Sequence, residues 1–143
     1  MKNSSINYWR VWVNAKGESC QSRHSLKKHE QTAFAEGATP ILSAMHYSGQ
    51  ATIITLILMP GELKEWHENP KPQWIIPLHG KWAVETMDGV IVEMGPGDIS
   101  FGGDQGTRNK QGHRSWAIGE TPAELMLIQV SEQPPWTPSI ETR

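Results

Sequence analysis

The sequence predicts an all-β domain, a barrel or sandwich of short strands, on three observations. From about residue 51 the chain runs in short apolar segments broken by turn signals at close intervals. Asp88-Gly89, between KWAVETM and VIVEM, is the strongest two-residue hairpin signal in the chain. Pro60-Gly61, Pro96-Gly97-Asp98 and the run from Gly119 to Pro122 supply stops between the remaining segments.

The elements follow in order. YWRVWVN, residues 8–14, reads as a strand, at an edge or exchanged between subunits because no neighbouring segment offers it a partner. SLKKHEQTAFAEG reads as a short helix, with Ser25 as its N-cap and Gly37 just past its end. ATIITLILM, residues 51–59, is an apolar run that predicts a strand covered on both faces. WIIPLHG is the next strand, and because proline cannot donate to a ladder, Pro77 belongs at a bulge or with its nitrogen facing away from a neighbour. Two strands flank Asp88-Gly89, DISF follows the Pro96 turn, and GGDQGTRNKQG forms a Gly-rich loop of the kind that lines site mouths. RSWAI and AELMLIQV are the last strands, and the tail SEQPPWTPSI is too rich in proline for regular structure, so it drapes on the surface anchored by Trp136. The organisation is one domain: an extension over 1–50, a core over 51–131 and a Pro-rich tail over 132–143.

Composition narrows the function classes. Across 143 residues, thirteen Lys and Arg against fifteen Asp and Glu, without a basic run, give no electrostatic reason for a nucleic-acid or membrane-surface partner. A small, nearly neutral ligand or another protein is the expected partner. The single Cys20 leaves neither an internal disulfide nor a Cys pair for structural zinc. The N-terminus lacks the apolar region of a signal peptide and no apolar run is long enough to span a bilayer, so a soluble cytoplasmic protein is expected. The seven tryptophans are expected as core or interface fillers, with Trp66 and Trp116 the two placed near candidate site residues.

The stretch GELKEWHENPKPQWIIPLHG carries the strongest functional signal. Gly61, His67, Asn69, Gln73 and Gly80 have the spacing of the first signature motif of the cupins, which places metal ligands where His67, Asn69 and Gln73 stand. A second motif fits loosely, with Gly97 at its start and His113 at its histidine after a loop five residues longer than usual. The chain therefore resembles small single-domain bacterial cupins over roughly residues 51–130. The resemblance implies a double-stranded β-helix, a jelly-roll barrel, and a pocket, but no particular reaction.

Within that pocket His67 and His113 are candidate ligands of a divalent first-row metal (Fe, Zn, Ni or Mn), since imidazole suits such ions. Asn69 and Gln73 would add neutral carbonyl oxygens. Strand parity puts His67 and Asn69 on one face and Gln73, Ile75, Pro77 and His79 on another common face. Two histidines and two amides bring no charge to offset a dication, so a metal site and a metal-free pocket that hydrogen-bonds a polar ligand both stay open. Glu65 could supply a carboxylate but is expected in solvent. Asp104 either caps its loop or enters the pocket as an acid or base. His67, His113 and Asp104 are thus the catalytic candidates, with Trp66, Trp116 and Ile75 as pocket lining. His79 falls at the far end of its strand, and His24, His29 and His46 count as surface residues. The glycines of the loop would let it move as a lid.

Two function classes remain: an enzyme of dioxygenase, isomerase or lyase type acting on a small polar organic molecule, and a metal-free small-molecule sensor or carrier. An unpartnered early strand, an apolar segment at 51–59 and the surplus of tryptophan predict a homodimer.

Overall fold

The computed structural model describes residues 5–62 and 65–135. The chain is all-β, and the only helical segment among those residues is a single 3₁₀ turn at Arg108–Lys110. Eleven strands run in order: β1 (Ile6–Val13), β2 (Ser19–Leu26), β3 (Glu30–Thr32), β4 (Ile41–Ser43), β5 (Thr52–Leu58), β6 (Gln73–His79), β7 (Trp82–Thr86), β8 (Ile91–Met94), β9 (Ser100–Gly102), β10 (His113–Ala117) and β11 (Ala123–Gln129). They form a mixed six-stranded sheet in the order β2-β1-β9-β6-β11-β5, a three-stranded sheet β10-β7-β8 and a two-stranded ribbon β3-β4. The two larger sheets do not join into a closed barrel.

Alternation builds the core between them. Val11, Ile75, Leu125 and Leu127 from the large sheet meet Trp82, Val84, Val92, Met94 and Ala117 from the small one. Residues of opposite parity, Tyr8 and Phe101 with the partly buried Trp74, make a second cluster on the outer face of the large sheet. Arg10 lies on that face, wholly buried, under the C-terminal segment. Its guanidinium donates to Gln133 Oε1 at 2.6 Å and to the Pro134 carbonyl at 2.9 Å and sits over the Phe101 ring. Burial pushes the Arg10 pKa down, while Tyr8 opposes that shift. Among the described residues the tail is thus tied by Arg10; the expected anchor Trp136 lies outside them.

The turn signals read correctly in kind. Pro96-Gly97 makes a tight turn with Gly97 at φ +101° and a bond from Asp98 N–H to the Gly95 carbonyl. Asp88-Gly89 does close a hairpin, but through three residues, with Gly89 in the left-handed region and Thr86 N–H bonded to Val90 O. Pro77 sits beside a register shift on β11, between Glu124 and Leu125, as a residue without an N–H requires.

Three expectations fail. No helix forms over 25–37: Ser25 lies within β2, which pairs with β1 along eight residues, and the segment beyond folds back as β3 and β4. Long-range pairing here overrides helix propensity. β1 is neither an edge nor unpartnered, because β2 lies on one side and β9 runs parallel to it on the other. β5 is not covered on both faces: it pairs only with β11, and Ile53 and Ile57 are 66% and 64% exposed. Among the described residues no helix is long and apolar enough to cross a membrane.

Candidate functional site

At one end of the inter-sheet core the apolar layer gives way to polar groups. Gln73 opens β6 on the same face as the core residue Ile75, and His113 opens β10 on the same face as Ser115 and Ala117. Where the core ends, a buried glutamine and a buried histidine therefore take the place of apolar side chains. The segment between Pro60 and β6 completes the site. His67 pairs with His113 as an isolated bridge, through His67 N–H to His113 O at 2.8 Å and the reciprocal bond at 2.9 Å. The bridge does not extend toward β6: the next N–H on that side, that of Asn69, donates to Asp104 Oδ1 instead.

The bridge sets the two imidazoles side by side, with ring centroids 4.9 Å apart and planes at 50°. His67 is exposed and its Nδ1 lies 2.9 Å from the Glu65 carbonyl. His113 is buried and its Nδ1 lies 2.6 Å from Asp104 Oδ2. Among the described residues neither Nε2 has a hydrogen-bond partner.

Asp104, wholly buried, is the centre of this network. Its Oδ1 accepts from the Asn69 backbone N–H at 3.0 Å and from Asn69 Nδ2 at 2.8 Å. Burial works to raise its pKa, but the hydrogen bond and charge of His113 together with the two Asn69 bonds outweigh burial and hold the carboxyl below its ordinary value. A carboxyl depressed in this way stabilises the fold above its unfolded value, about 3.8, and that contribution is lost as pH falls through the lower folded value. Denaturant melts of wild type and Asp104→Asn at stepped pH are therefore expected to converge as pH drops below that point. A gap that widens in acid would contradict the sign.

The amides are engaged with one another. Gln73 Nε2 donates to Asn69 Oδ1 at 2.6 Å, and Gln129 Nε2 donates to Gln73 Oε1 at 3.0 Å. Their carbonyl oxygens, expected from the sequence to face a metal, already accept. Shared parity of His67 and Asn69 does not hold, since no strand runs through them: one is exposed and the other buried.

The structure does not bring the predicted lining together. Trp116 alternates onto the face of β10 opposite His113, and Trp66 lies under the Arg114 guanidinium on that outer side. Ile75 is part of the apolar core. A hollow of about 210 Å³ lies on the outer side of β6, against Tyr47, Trp74, Gln133 and Pro134, and holds none of the predicted site residues. Glu65 is exposed and His79 sits opposite Glu124, at the other end of β6 from Gln73. His24 is not on the surface; it is 3% exposed and bonds Ser22 Oγ at 2.8 Å.

Glu68, like Gln129, escaped sequence reasoning, and Gly112, counted there among the glycines that free the loop, has another role. Glu68 Oε2 accepts from the backbone N–H groups of Gly106 and Thr107 and from the Thr107 hydroxyl, pinning the Gly-rich loop expected to move as a lid. Gly112, at φ +67°, lies so close to the His67 carbonyl and Glu68 nitrogen that a Cβ would collide with that backbone. Its proximity to His113 in sequence was the available signal. Gly112→Ala is expected to push His67 off the bridge and lower stability by about 1–3 kcal/mol, as at other strained backbone positions. Loss of the ring-to-ring contact in the NMR spectrum would report it, and an unchanged contact would refute it.

No family model matches the chain, and no curated protein matches it. Among solved structures, protein NMB1881 from Neisseria meningitidis is similar over 62% of this chain and 90% of its own length, at 21% sequence identity and a TM-score of 0.43.

Proposed function

We propose that the chain is a small enzyme of the cupin kind, its two facing sheets the halves of a jelly roll, acting on a small polar organic molecule by proton transfer at the His67–His113 pair. The single observation that carries this reading is the 2.6 Å contact between Asp104 and His113 beside a second imidazole. A buried carboxylate on Nδ1 orients the ring and stabilises the imidazolium formed when Nε2 takes a proton. His67 Nε2, in its protonated form, returns a proton at a neighbouring position, which gives isomerase or lyase chemistry. Incubation with a panel of carbonyl compounds bearing acidic C–H bonds in D₂O tests this by mass spectrometry. Deuterium uptake lost in His113→Gln and retained in Trp116→Phe is the expected result; no uptake across the panel, with a small molecule bound unchanged, favours the sensor or carrier reading.

One feature favours a second reading, in which His67 and His113 hold a divalent first-row ion. Metal-bound histidines commonly donate their other ring nitrogen to a carbonyl or carboxylate, as Glu65 and Asp104 provide here. Asn69 and Gln73 fit such an ion poorly because their oxygens are occupied. Calorimetry with Zn²⁺ or Ni²⁺, with binding lost in both His67→Ala and His113→Ala, would favour it.

The partner we propose is a second copy of this chain on β5. It is one edge of the large sheet, with neither charge nor proline along its length, and presents Ile53 and Ile57 on the face away from the core. An open edge of that kind is normally covered or paired.

A further inference from the structure

We infer that Asn69 and Gln73, with Gln129 behind them, are positioning residues: a one-way chain of amide donors that ends on Asp104 Oδ1 and thereby holds the carboxylate turned with Oδ2 on His113 Nδ1. The inference rests on the reading of His113 as the reactive group, but it concerns residues which that reading leaves without a role.

The direction of the chain follows from one bond that admits no ambiguity. A backbone N–H can only donate, so Asp104 Oδ1, which takes the Asn69 N–H, is an acceptor. The Asn69 side-chain atom 2.8 Å from that same oxygen must then be Nδ2. This turns Asn69 Oδ1 toward Gln73, which must present Nε2, and turns Gln73 Oε1 toward Gln129, which must do the same. Every amide points its donor toward Asp104. With Oδ1 saturated by two donors, Oδ2 is the oxygen left for His113 Nδ1, and as an acceptor it requires the proton on Nδ1. The lone pair of the neutral ring is then on Nε2.

The backbone accommodates this arrangement. Asn69 lies flat on Gly102 of β9, so close that a Cβ there would overlap its amide. Gln73 is paired with that same Gly102 across β6 and β9, and with Gln129 across β6 and β11. Three adjacent strands thus supply the ladder on which the chain is strung. In a buried site such networks polarise in one sense, and a single reversed member leaves two acceptors or two donors face to face.

Gln73→Glu tests this with almost no change of shape. The carboxylate it introduces has no donor for Asn69 Oδ1, so the Asn69 amide turns its Nδ2 to that carboxylate and its carbonyl to Asp104. Gln129→Glu, at a less buried position, reverses the chain from its other end by turning Gln73. The readout is the long-range ¹H–¹⁵N spectrum of histidine-labelled protein, which reports the tautomer of each ring without substrate. Wild type is expected to show His113 as the Nδ1–H form with a low-field Nδ1 proton. In both variants the Asn69 carbonyl faces Asp104 Oδ1, so the carboxyl either takes a proton there or turns from His113, and the Nδ1 proton resonance is expected to move upfield, while His67, held by a backbone carbonyl, keeps its shifts. Ile75→Val, a packing change next to Gln73, is expected to lower the melting temperature and leave His113 unaltered. An Nε2–H tautomer in wild type overturns the inference, whether or not any variant folds. So does a folded Gln73→Glu or Gln129→Glu protein whose His113 shifts match wild type. Absence of deuterium uptake in the exchange experiment would instead count against the proposed reaction and leave this measurement standing.

Discussion

Asp104→Asn is expected to reduce proton-transfer turnover by about 10⁴-fold, as a wrong imidazole tautomer does in a hydrogen-bonded carboxylate–histidine pair, while lowering stability by only about 1–3 kcal/mol. The substitution is isosteric and keeps an oxygen for the two Asn69 donors. Its new NH₂ then faces His113 Nδ1, which must accept, so the proton moves to Nε2 and the base is blocked. Exchange of a carbon-bound proton for deuterium gives the rate, and denaturant unfolding gives the stability. Turnover within tenfold of wild type would sink the proton-transfer reading. A stability loss above about 5 kcal/mol would mean that the pair is chiefly structural, since breaking a buried ion pair by removal of one partner costs about 3–5 kcal/mol.

Ile57→Lys is expected to convert a dimer into a monomer. Ile53 and Ile57 are each about two-thirds open on an edge strand, so a two-fold pairing that covers both buries four isoleucines, at about 1–2 kcal/mol each for the area still exposed. A lysine on that edge removes one apolar contact per subunit and sets two like charges near the axis, a device sheets use to keep edges apart. Light scattering at micromolar concentration reads the outcome. One subunit mass for wild type would remove the proposal, and an Ile57→Lys protein that stays dimeric would place the interface elsewhere.

The pattern of strands and turns was legible because it depends on local chemistry. Proline must leave the ladder, so Pro77 falls beside a register shift; glycine takes positive φ, so Gly89 and Gly97 turn the chain. Motif spacing assigns His67 and His113 to one place, and a backbone bridge joins them there. The helix expected over 25–37 does not form because partners outside the segment take its residues: Ser25 and Leu26 complete the ladder with β1, and Glu30–Thr32 pairs with Ile41–Ser43. The covered β5 fails for the converse reason: an apolar run implies cover on both faces, yet Ile53 and Ile57 on one face stay exposed.

The sequence by itself determined that this chain is all-β, where it turns, and that His67, Asn69, Gln73 and His113 belong to one region. Only the tertiary structure decided what those residues do to one another. Asn69 and Gln73 have the spacing of ligands, yet amide orientation depends on what each oxygen and nitrogen meets. Those partners, Asp104 and Gln129, lie 35 and 56 residues away in the chain. A buried carboxylate that already accepts a backbone N–H polarises everything hydrogen-bonded to it, and such an ordering exists only once the strands have assembled.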